Sequence, residues 1–464
     1  MPRFHITHLN RSKKILLFWI AVLTLILPNS CKKDKIVLPP FANETSLLAT
    51  NWADLTLISI QRSFYKSPTY ISRCLGYMGV TMYECVVHAD DKQRSLVGQL
   101  NGLTSLPQPV AGEDYYWPLV LHAGQDTLLR LLFPSPQDMH LAQYHILDST
   151  ANSWEQSLKT NIPTTVIDKS LKLGWDIALA IYNWSKTDGG HEMFLKHWDF
   201  TYVFPTGASY WIPPVGGQTV SSFPLHPHWG NNRRFVPANS NWPVSAIIPY
   251  STDPASDYYK IYKDVYTKNK ILTQAEKDIA AWWADDPSES YSPPGHSYNL
   301  ATIAIKKSRV GLVKAAEAYA RTGMAVADAF INCWKTKTTY FNERPSSYVR
   351  KNIDSTWIQY WPEPPFPAFP SGHSYQSAAT AMALTGLFGP SFSFTDNTNE
   401  GQFRFTPVPR KLEFTRSFNN FWESAEEAAY SRFLGGIHTM QDNQVGLSQG
   451  KIVGENVSAL QWKQ

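Results

Sequence analysis

The sequence predicts an all-α protein built from helical bundles. Apolar residues recur at helical spacing along most of the chain after residue 50. No stretch shows the sustained alternation of a β-strand, and no internal repeat of fixed period is visible. Apolar residues make up 43% of the 464 residues, which is enough to bury a large core. We therefore expect helices packed around a shared core.

The predicted helices lie on both sides of one long interruption. The helical segments are, in order, 52–89, 118–132, 138–158, 165–184, 257–266, 273–283, 298–334, 375–388 and 418–433. Between residues 191 and 254 the helical periodicity is lost, and Pro, Gly, Trp and Asn become frequent. This excursion either walls a cleft or is a structural loop with no part in chemistry.

The N-terminal segment has the features of a bacterial export signal. A basic stretch that includes Arg11 precedes an apolar run at 15–27, which is too short to span a bilayer. The sequence Leu-Pro-Asn-Ser-Cys that follows resembles the lipobox of bacterial lipoproteins. We expect Cys31 to be lipidated and to anchor the protein in the bacterial cell envelope, periplasmic or outer-membrane associated. An ordinary secretory signal is the alternative.

The remaining chain divides by composition and periodicity. The predicted parts are a signal peptide at 1–30, a tether at 31–48, an N-terminal helical region at 49–300 and a helical core at 301–464. The formal net charge is +4, and the signal peptide holds four basic residues and no acid, which leaves 4 − 4 = 0. A neutral mature chain argues against nucleic acid as a partner, so any functional basic patch must be local.

Three cysteines remain after Cys31, and they suggest no metal site. Cys74, Cys85 and Cys333 form no Cys-x-x-Cys pair and are too few for a disulfide framework. Cys74 and Cys333 lie in apolar helical patterns and are expected to be small core residues. A bridge between Cys74 and Cys85 stays open in an oxidising envelope compartment.

The last third of the chain contains a first group of cations. Lys337 and Arg344 lie seven residues apart, with Pro345 directly after the arginine. Both side chains could point to one site, with the proline fixing the turn. Lysines and arginines at this spacing are, however, common on protein surfaces. Alone, this segment carries little weight.

A second segment contains Ser371, Gly372 and His373 just before a helix of small residues. Ser371 is a plausible N-cap, and the N-terminus of the helix then offers free N–H groups and a positive dipole end to an anion. Gly372 permits close approach of a ligand to the backbone. His373 can act as acid or base near neutral pH. A simple Pro-Ser-Gly turn with a capping serine is the alternative.

A third segment contains Arg432, His438 and Asp442. The histidine and the aspartate are four residues apart, so on a helix they would share a face. Asp442 could accept the proton of one imidazole nitrogen and leave the other free as a nucleophile or metal ligand. Arg432 adds a permanently charged, planar fork for oxyanion oxygens.

Taken in order, the three motifs resemble a known signature. Lys-x6-Arg-Pro, Pro-Ser-Gly-His and Ser-Arg-x5-His-x3-Asp together are similar to the motifs of the superfamily of type-2 phosphatidic acid phosphatases and vanadium-dependent haloperoxidases. The resemblance covers about residues 337–442. It implies an oxyanion site within a C-terminal four-helix bundle.

The resemblance also implies roles for the matching residues. Lys337, Arg344 and Arg432 would neutralise vanadate or phosphate, and Ser371 and the Gly372 N–H would hydrogen-bond its oxygens. In that family the residue matching His438 binds vanadium or attacks phosphorus. Here His373 would be the acid–base residue, and Asp442 would orient His438.

Two aromatic residues favour the haloperoxidase branch. Trp334 and Phe366 lie where vanadium chloroperoxidases carry an aromatic pair beside the halide, and Trp334 as a mere core residue is the alternative. The sequence also shows no membrane-spanning run, whereas the lipid phosphatases are embedded in membranes. Algal bromoperoxidases have a histidine where this chain has Phe366.

A fourth segment is suggestive of a further contribution. Asp285 and Asp286 follow two tryptophans, and a Gly-His pair ending at His296 comes shortly after. Either aspartate could pair with Arg432, and His296 could line the mouth of the halide pocket. A loop between helices, without any role, is the alternative.

The expected activity is therefore that of a vanadate-dependent peroxidase. It would oxidise a halide, iodide and/or bromide first, with hydrogen peroxide to hypohalous acid, and small organic acceptors are possible partners. The main alternative is a soluble, lipid-anchored acid phosphatase that acts through a phosphohistidine at His438. A non-catalytic binding protein would have no structural reason to keep His373 and His438 in this order with three cations.

Overall fold

The computed structural model describes residues 45–63, 67–133, 141–214, 217–219, 221–241, 243–287 and 289–464. The predicted signal peptide, Cys31 and most of the predicted tether lie outside these ranges. The described residues form α1 (Thr45–Gln61), α2 (Pro68–Glu84), α3 (Trp117–Leu132), α4 (Leu141–Lys159), α5 (Thr164–Ser185), α6 (Asp257–Asn269), α7 (Gln274–Trp282), α8 (Ser292–Ser308), α9 (Leu312–Tyr340), α10 (Pro345–Asn352), α11 (Gly372–Phe388), α12 (Phe421–Leu434) and α13 (Met440–Ser458). The predicted all-α class is confirmed.

Four very short strands lie between α11 and α12. They are β1 (Phe394–Asp396), β2 (Phe403–Arg404), β3 (Arg410–Lys411) and β4 (Arg416–Phe418). β1 pairs with β4 and β2 with β3, both antiparallel. Segments of two or three residues are too short to show an alternating pattern, and for this reason no strands were predicted there.

Two segments predicted as single helices are each divided in two. The run at 52–89 is interrupted before α2, where the Ser67 hydroxyl accepts a hydrogen bond from the Tyr70 N–H at 3.3 Å and Pro68 begins the helix. The run at 298–334 is interrupted at Arg309, whose φ of 50° is left-handed. The apolar periodicity continues across both interruptions because the helices on either side face the same core.

The helix packing places a four-helix bundle at the C-terminal end of the chain. Helix α11 packs against α9, α12 and α13, and α13 also packs against α9 and α12. Helix α9 also packs extensively on α2, which contacts α3, α5 and α8. The long helix α9 is thus shared between the two groups, and the predicted boundary at residue 300 falls inside α8.

The closest helix contact, between α11 and α13, depends on glycines. Gly446, Gly450 and Gly454 occur at every fourth position of α13 and therefore share one face. A Cβ atom at Gly450 would overlap the carbonyl of Tyr375, and one at Gly454 would overlap that of Ala379. The two backbones approach so closely that no side chain fits between them.

Gly450→Ala is expected to lower the free energy of unfolding by about 1–3 kcal/mol, because the added methyl forces two helix backbones apart. Chemical denaturation of the two proteins measures the difference. Gly311→Ala is the matched control, since nothing lies within 4 Å of a Cβ atom there. Equal stability of Gly450→Ala and wild type would show that the α11–α13 contact can adjust freely.

The predicted excursion at 191–254 is ordered against the bundle by a buried carboxylate. Asp328 of α9 accepts hydrogen bonds from the backbone N–H groups of Phe235 at 2.6 Å and Val236 at 3.0 Å, and from the Asn239 amide at 2.8 Å. Burial raises the pKa of Asp328 to about 6 although these donors lower it. The Asp328 carboxylate therefore holds residues 235–239 of the excursion against α9, the helix that carries Trp334 and Lys337.

The described cysteines are all buried side chains. No disulfide joins Cys74 to Cys85, so that open alternative is excluded by the structure. Burial raises the pKa of the Cys333 thiol to about 11. Within the described part of the chain, no helix has both the length and the apolar character needed to cross a bilayer.

Candidate active site

A cavity of about 480 Å³ opens at one end of the four-helix bundle. Its walls come from several parts of the chain, α1 and α2 among them. The bundle and its connecting segments contribute Trp334, Phe366, Gly372, His373, Arg432 and His438; the excursion contributes His197, Trp198, Gly217, Gln218 and Leu225; the segment before α8 contributes Asp285 and Asp286. Residues of the excursion thus lie in the wall of this cavity.

His438 lies just before α13, and its local geometry fixes its protonation. Its Nε2 is 3.1 Å from the Nη1 of Arg344, and its Nδ1 is 3.0 Å from the carboxylate of Asp442. An arginine can only donate and a carboxylate can only accept, so Nδ1 carries the proton and Nε2 offers its lone pair. Burial and the Arg344 charge hold the pKa of His438 well below its usual range. The imidazole is neutral.

The pair was predicted as two residues on one helix face, which the structure corrects. Thr439 is the N-cap of α13 and Asp442 is the third helical residue, so His438 precedes the helix. Asp442 reaches back to accept the Thr439 N–H at 3.0 Å, while the Thr439 hydroxyl accepts the Asp442 N–H at 3.2 Å. This capping box holds the carboxylate that orients His438. Burial raises the pKa of Asp442 to about 6.

Arg344 is fully buried and bonded to the backbone on either side of the cavity. Its Nε donates to the carbonyl of Phe366 at 2.9 Å, and its Nη1 donates to that of Ile437 at 3.0 Å. Its Nη2 is buried and has no hydrogen-bond partner. Burial lowers the pKa of Arg344 to about 10, so the guanidinium stays charged at neutral pH.

Lys337 lies near the end of α9 and is fully buried. Its ammonium donates to the backbone carbonyls of Pro367, Ala368 and Pro370, each at 2.7 Å. These three bonds use all of its donors. Burial lowers the pKa of Lys337 to about 7. In this structure the lysine organises the turn before α11 and is not among the residues that line the cavity.

Arg432 of α12 lines the cavity, whereas Arg344 is not among its lining residues. Its Nη1 donates to the carbonyl of Trp283 at 2.9 Å, and its buried Nε has no partner. Among the described residues it forms no ion pair within 4 Å with Asp285 or Asp286, whose charges act on it from farther away. Burial lowers the pKa of Arg432 to about 10 in spite of those carboxylates.

The start of α11 has the geometry that the sequence predicts. Ser371 is the N-cap, and its hydroxyl accepts from the Ser374 N–H at 3.3 Å. Gly372 is the first helical residue and lines the cavity. His373 follows it, and its buried Nε2 has no partner. Burial and the Arg432 charge hold the pKa of His373 well below its usual range, so this histidine is also neutral.

Trp334 and Phe366 stand together on the cavity wall. Their ring centroids are 4.8 Å apart with the planes tilted by 50°. The indole Nε1 of Trp334 donates to the carbonyl of Leu225 at 3.2 Å, which ties the ring to the excursion. The face of Phe366 also receives two cations, the Lys337 ammonium at 5.2 Å and the Arg344 guanidinium at 5.1 Å from its centroid.

His296 does not line the cavity, which corrects the expectation that it belongs to the halide pocket. Its side chain is 1% exposed and lies between the carboxylates of Asp285 and Asp396, each 2.8 Å from one ring nitrogen. Burial would lower the pKa of His296, but the two carboxylates raise it to about 10. The physical reason is charge: two buried carboxylates hold the imidazolium in the interior.

The free donors of the site fit a tetrahedral oxyanion. Arg344 Nη2 and Arg432 Nε are buried donors on charged groups without partners, and such groups are costly unless a ligand satisfies them. The N-terminus of α11 adds further donors near them. No group of three or more His, Cys, Asp or Glu side chains in the described residues is arranged to hold a cation. The residues present therefore suit an anion such as vanadate or phosphate.

Fold and site together define a helical-bundle enzyme with a buried, cationic pocket that contains two neutral histidines. The family described as the VCPO second helical-bundle domain matches residues 317–463, which span α9 to α13. The structure of the first bacterial vanadium-dependent iodoperoxidase is similar at a TM-score of 0.76 and 29% identity, over 90% of this chain and 97% of that one. The chain is thus similar to vanadium-dependent haloperoxidases, both in the second helical-bundle domain and in the fold as a whole.

More distant structures share the fold. The holo-type bacterial vanadium-dependent chloroperoxidase has a TM-score of 0.62 and 14% identity, over 85% of this chain and 92% of that one. The apo-type structure gives the same score and identity, over 84% of this chain and 91% of that one. Comparison with curated protein sequences gives no match.

Several residues that shape the site gave no sequence signal. Glu363 is fully buried, accepts from the Ser346 hydroxyl at 2.6 Å, and raises the pKa of Arg344 against the effect of burial. Asp396 at the end of β1 holds His296 from a hundred residues away. Neither lies in a motif or a periodic segment, so only the tertiary fold reveals them.

Proposed function

We propose that this protein is a vanadium-dependent haloperoxidase that oxidises iodide and/or bromide with hydrogen peroxide to hypohalous acid. The observation that carries the proposal is the pair of buried, unpartnered donors, Arg344 Nη2 and Arg432 Nε, together with the unprotonated Nε2 of His438. Arg432 and His438 line the same cavity, and Arg344 contacts His438. Cationic donors and an imidazole lone pair are what a vanadate ion requires of its site.

The proposed cofactor is vanadate, held by the matching motif residues. His438 Nε2 would be the one direct ligand to vanadium, since the hydrogen bond to Asp442 fixes the tautomer in which Nε2 is unprotonated. The hydrogen bond that Nε2 accepts from Arg344 Nη1 would have to be given up for that ligand. Arg344 and Arg432 would bind the oxyanion oxygens, with Ser371 and the N–H of Gly372 as neutral donors. Lys337 would contribute its charge, with its three carbonyl bonds loosening to admit an oxygen. When bound, vanadate supplies the electrophilic centre that activates hydrogen peroxide toward halide.

His373 is the proposed acid–base residue. Its Nε2 is buried, unpartnered and neutral, and so can accept a proton from hydrogen peroxide and return it later. Trp334 and Phe366 form the proposed halide pocket, where an aromatic wall with cations behind it suits a large, weakly hydrated anion. The similarity to a bacterial iodoperoxidase supports iodide as the first halide to test.

An acid phosphatase is the second candidate, because the same neutral His438 Nε2 could attack the phosphorus of a phosphomonoester. The cavity volume of about 480 Å³ leaves room for such an ester. One experiment separates the two functions: protein from residue 34 onward is loaded with orthovanadate and assayed for triiodide formation, and the vanadate-free protein is assayed for release of phosphate.

His438→Ala is expected to abolish vanadate-dependent triiodide formation, because the variant lacks the proposed ligand to vanadium. The exposed residue His228 provides the matched control, and His228→Ala is expected to retain the activity of wild type. Phosphate release by the vanadate-free protein, without halide oxidation by the loaded one, would replace the haloperoxidase with the phosphatase.

We also propose that the protein is a lipid-anchored component of the bacterial cell envelope. The lipobox-like sequence that ends at Cys31 supports this localisation. Metabolic labelling of the full chain with a radioactive fatty acid should modify wild type and leave Cys31→Ala unlabelled. Secretion of unlabelled wild-type protein into the medium would contradict the anchor.

A further inference from the structure

The cluster of Asp285, His296 and Asp396 is a buried arrangement of charges behind the cavity. Each ring nitrogen of His296 lies 2.8 Å from a carboxylate oxygen, Nδ1 from Asp285 and Nε2 from Asp396. Ionised carboxylates only accept hydrogen bonds, so both nitrogens must donate. The ring is therefore an imidazolium, and the cluster of three side chains carries a net charge of minus one.

Neighbouring residues hold the cluster in one geometry. The Asn399 amide donates to the second oxygen of Asp285 at 2.9 Å, and the Thr398 hydroxyl donates to the second oxygen of Asp396 at 2.6 Å. The ring of Trp283 stacks on His296 at 4.5 Å with an interplanar angle of 11°. Both oxygens of Asp285 are thus engaged by residues other than Arg432.

Arg432 is the cation that Asp285 would otherwise attract. Both residues line the same cavity, and burial lowers the pKa of Arg432 while the charge of Asp286 and, to a smaller extent, that of Asp285 raise it. The guanidinium nevertheless bonds only to the carbonyl of Trp283 and leaves its Nε free. A buried guanidinium beside an unengaged carboxylate would normally form a two-pronged ion pair.

We propose that His296 is a positioning residue that keeps Arg432 available to the oxyanion, by binding Asp285 through its imidazolium. Without that charge, Asp285 turns to Arg432 and competes with the oxyanion for the same donors. The histidine acts through Asp285 and touches neither the substrate nor the cofactor. The inference rests on the oxyanion site proposed above.

The experiment uses orthophosphate as the probe and titration calorimetry of the vanadate-free protein as the readout. His296→Gln is expected to weaken phosphate binding at least tenfold. Adding Asp285→Asn to that variant removes the competitor and is expected to restore the affinity to within about threefold of wild type. His228→Gln is the control, because His228 forms an exposed pair with Asp199 at 2.9 Å and should bind as wild type does.

A purely structural role for His296 predicts the opposite order. The double variant would then lose a second interaction and bind phosphate no better than His296→Gln, which would overturn the proposal. Unchanged affinity of His296→Gln would also overturn it. Failure of wild type itself to bind phosphate would instead contradict the oxyanion site, so the two failures are distinguishable.

A measurement on the unmodified protein covers the case in which His296→Gln does not fold. Nitrogen NMR of protein labelled at histidine should show His296 with both ring nitrogens protonated at pH 7 and at pH 8. The His296 ring is assigned in the wild-type protein from its proximity to the stacked ring of Trp283, whose centroid lies 4.5 Å away. A neutral ring at pH 7 would overturn the proposal, since an uncharged imidazole could not hold Asp285 against a guanidinium.

Discussion

Arg344→Lys is expected to weaken the binding of orthophosphate and orthovanadate by about 100-fold. The guanidinium bonds to two carbonyls and to His438 while its Nη2 is left for the ligand, and a lysine cannot repeat this fork. A hydrogen bond to a charged group contributes about 1.5–3 kcal/mol, and each 1.4 kcal/mol is tenfold in affinity. Titration calorimetry with each anion measures the loss.

A second arginine-to-lysine substitution, away from the cavity, serves as the control. Arg309→Lys changes the same residue type at an exposed position and should bind both anions as wild type does. Affinities of Arg344→Lys that stay within threefold of wild type would show that charge alone, and not the planar fork, holds the anion. The contribution of Arg344 to anion binding would then be its charge rather than the geometry of its donors.

Local features of the site were predictable from the sequence. Ser371 caps α11 and Gly372 begins it, because a capping serine and the following free N–H groups are determined by adjacent residues. Trp334 and Phe366 meet in the cavity as expected, although they come from separate segments. The all-α class followed from periodicity, which is summed over many residues and tolerates local error.

Contacts between distant segments were not predictable. His296 was expected at the mouth of the cavity, but its position is decided by Asp396, which no periodicity or motif marks. Lys337 was expected to face the oxyanion, yet its ammonium bonds to the carbonyls of the turn at 367–370, whose path depends on the whole bundle. The spacing of residues along the chain indicates which residue types lie near one another. The path of the folded backbone determines which atoms form the hydrogen bonds.

The predicted pairing of Arg432 with Asp285 or Asp286 shows the same limit. The sequence places two carboxylates near the motif, but not their competing partners. Asp285 is engaged by His296 and Asn399, and Asp286 accepts from Trp361 at 3.1 Å. Burial raises the pKa of Asp286 to about 7, whereas His296 and Asn399 bring that of Asp285 to about 2 against the effect of burial. The environments of these two adjacent aspartates thus shift their pKa values in opposite directions.

Asp442→Asn is expected to weaken orthovanadate binding by about 10- to 100-fold while orthophosphate affinity changes by less than threefold. The carboxylate accepts the Nδ1 proton of His438, and an amide that turns its NH2 toward the ring would favour the other tautomer. That tautomer places a proton on Nε2 and blocks a bond to vanadium. Phosphate binds through the cations alone, so its affinity depends little on the tautomer.

The capping role of Asp442 is separated from its effect on His438 by a second capping box. Thr273 and Glu276 form the same reciprocal bonds at the start of α7, and neither residue lines the cavity. Glu276→Gln removes a capping carboxylate together with its ion pair to Lys268, and it should leave the affinities for both anions unchanged. Equal losses of vanadate and phosphate affinity in Asp442→Asn would mean that the substitution disturbs the bundle rather than the tautomer. A loss confined to vanadate requires that His438 Nε2 binds the vanadium directly, because the two anions otherwise present the same charge and shape to the pocket.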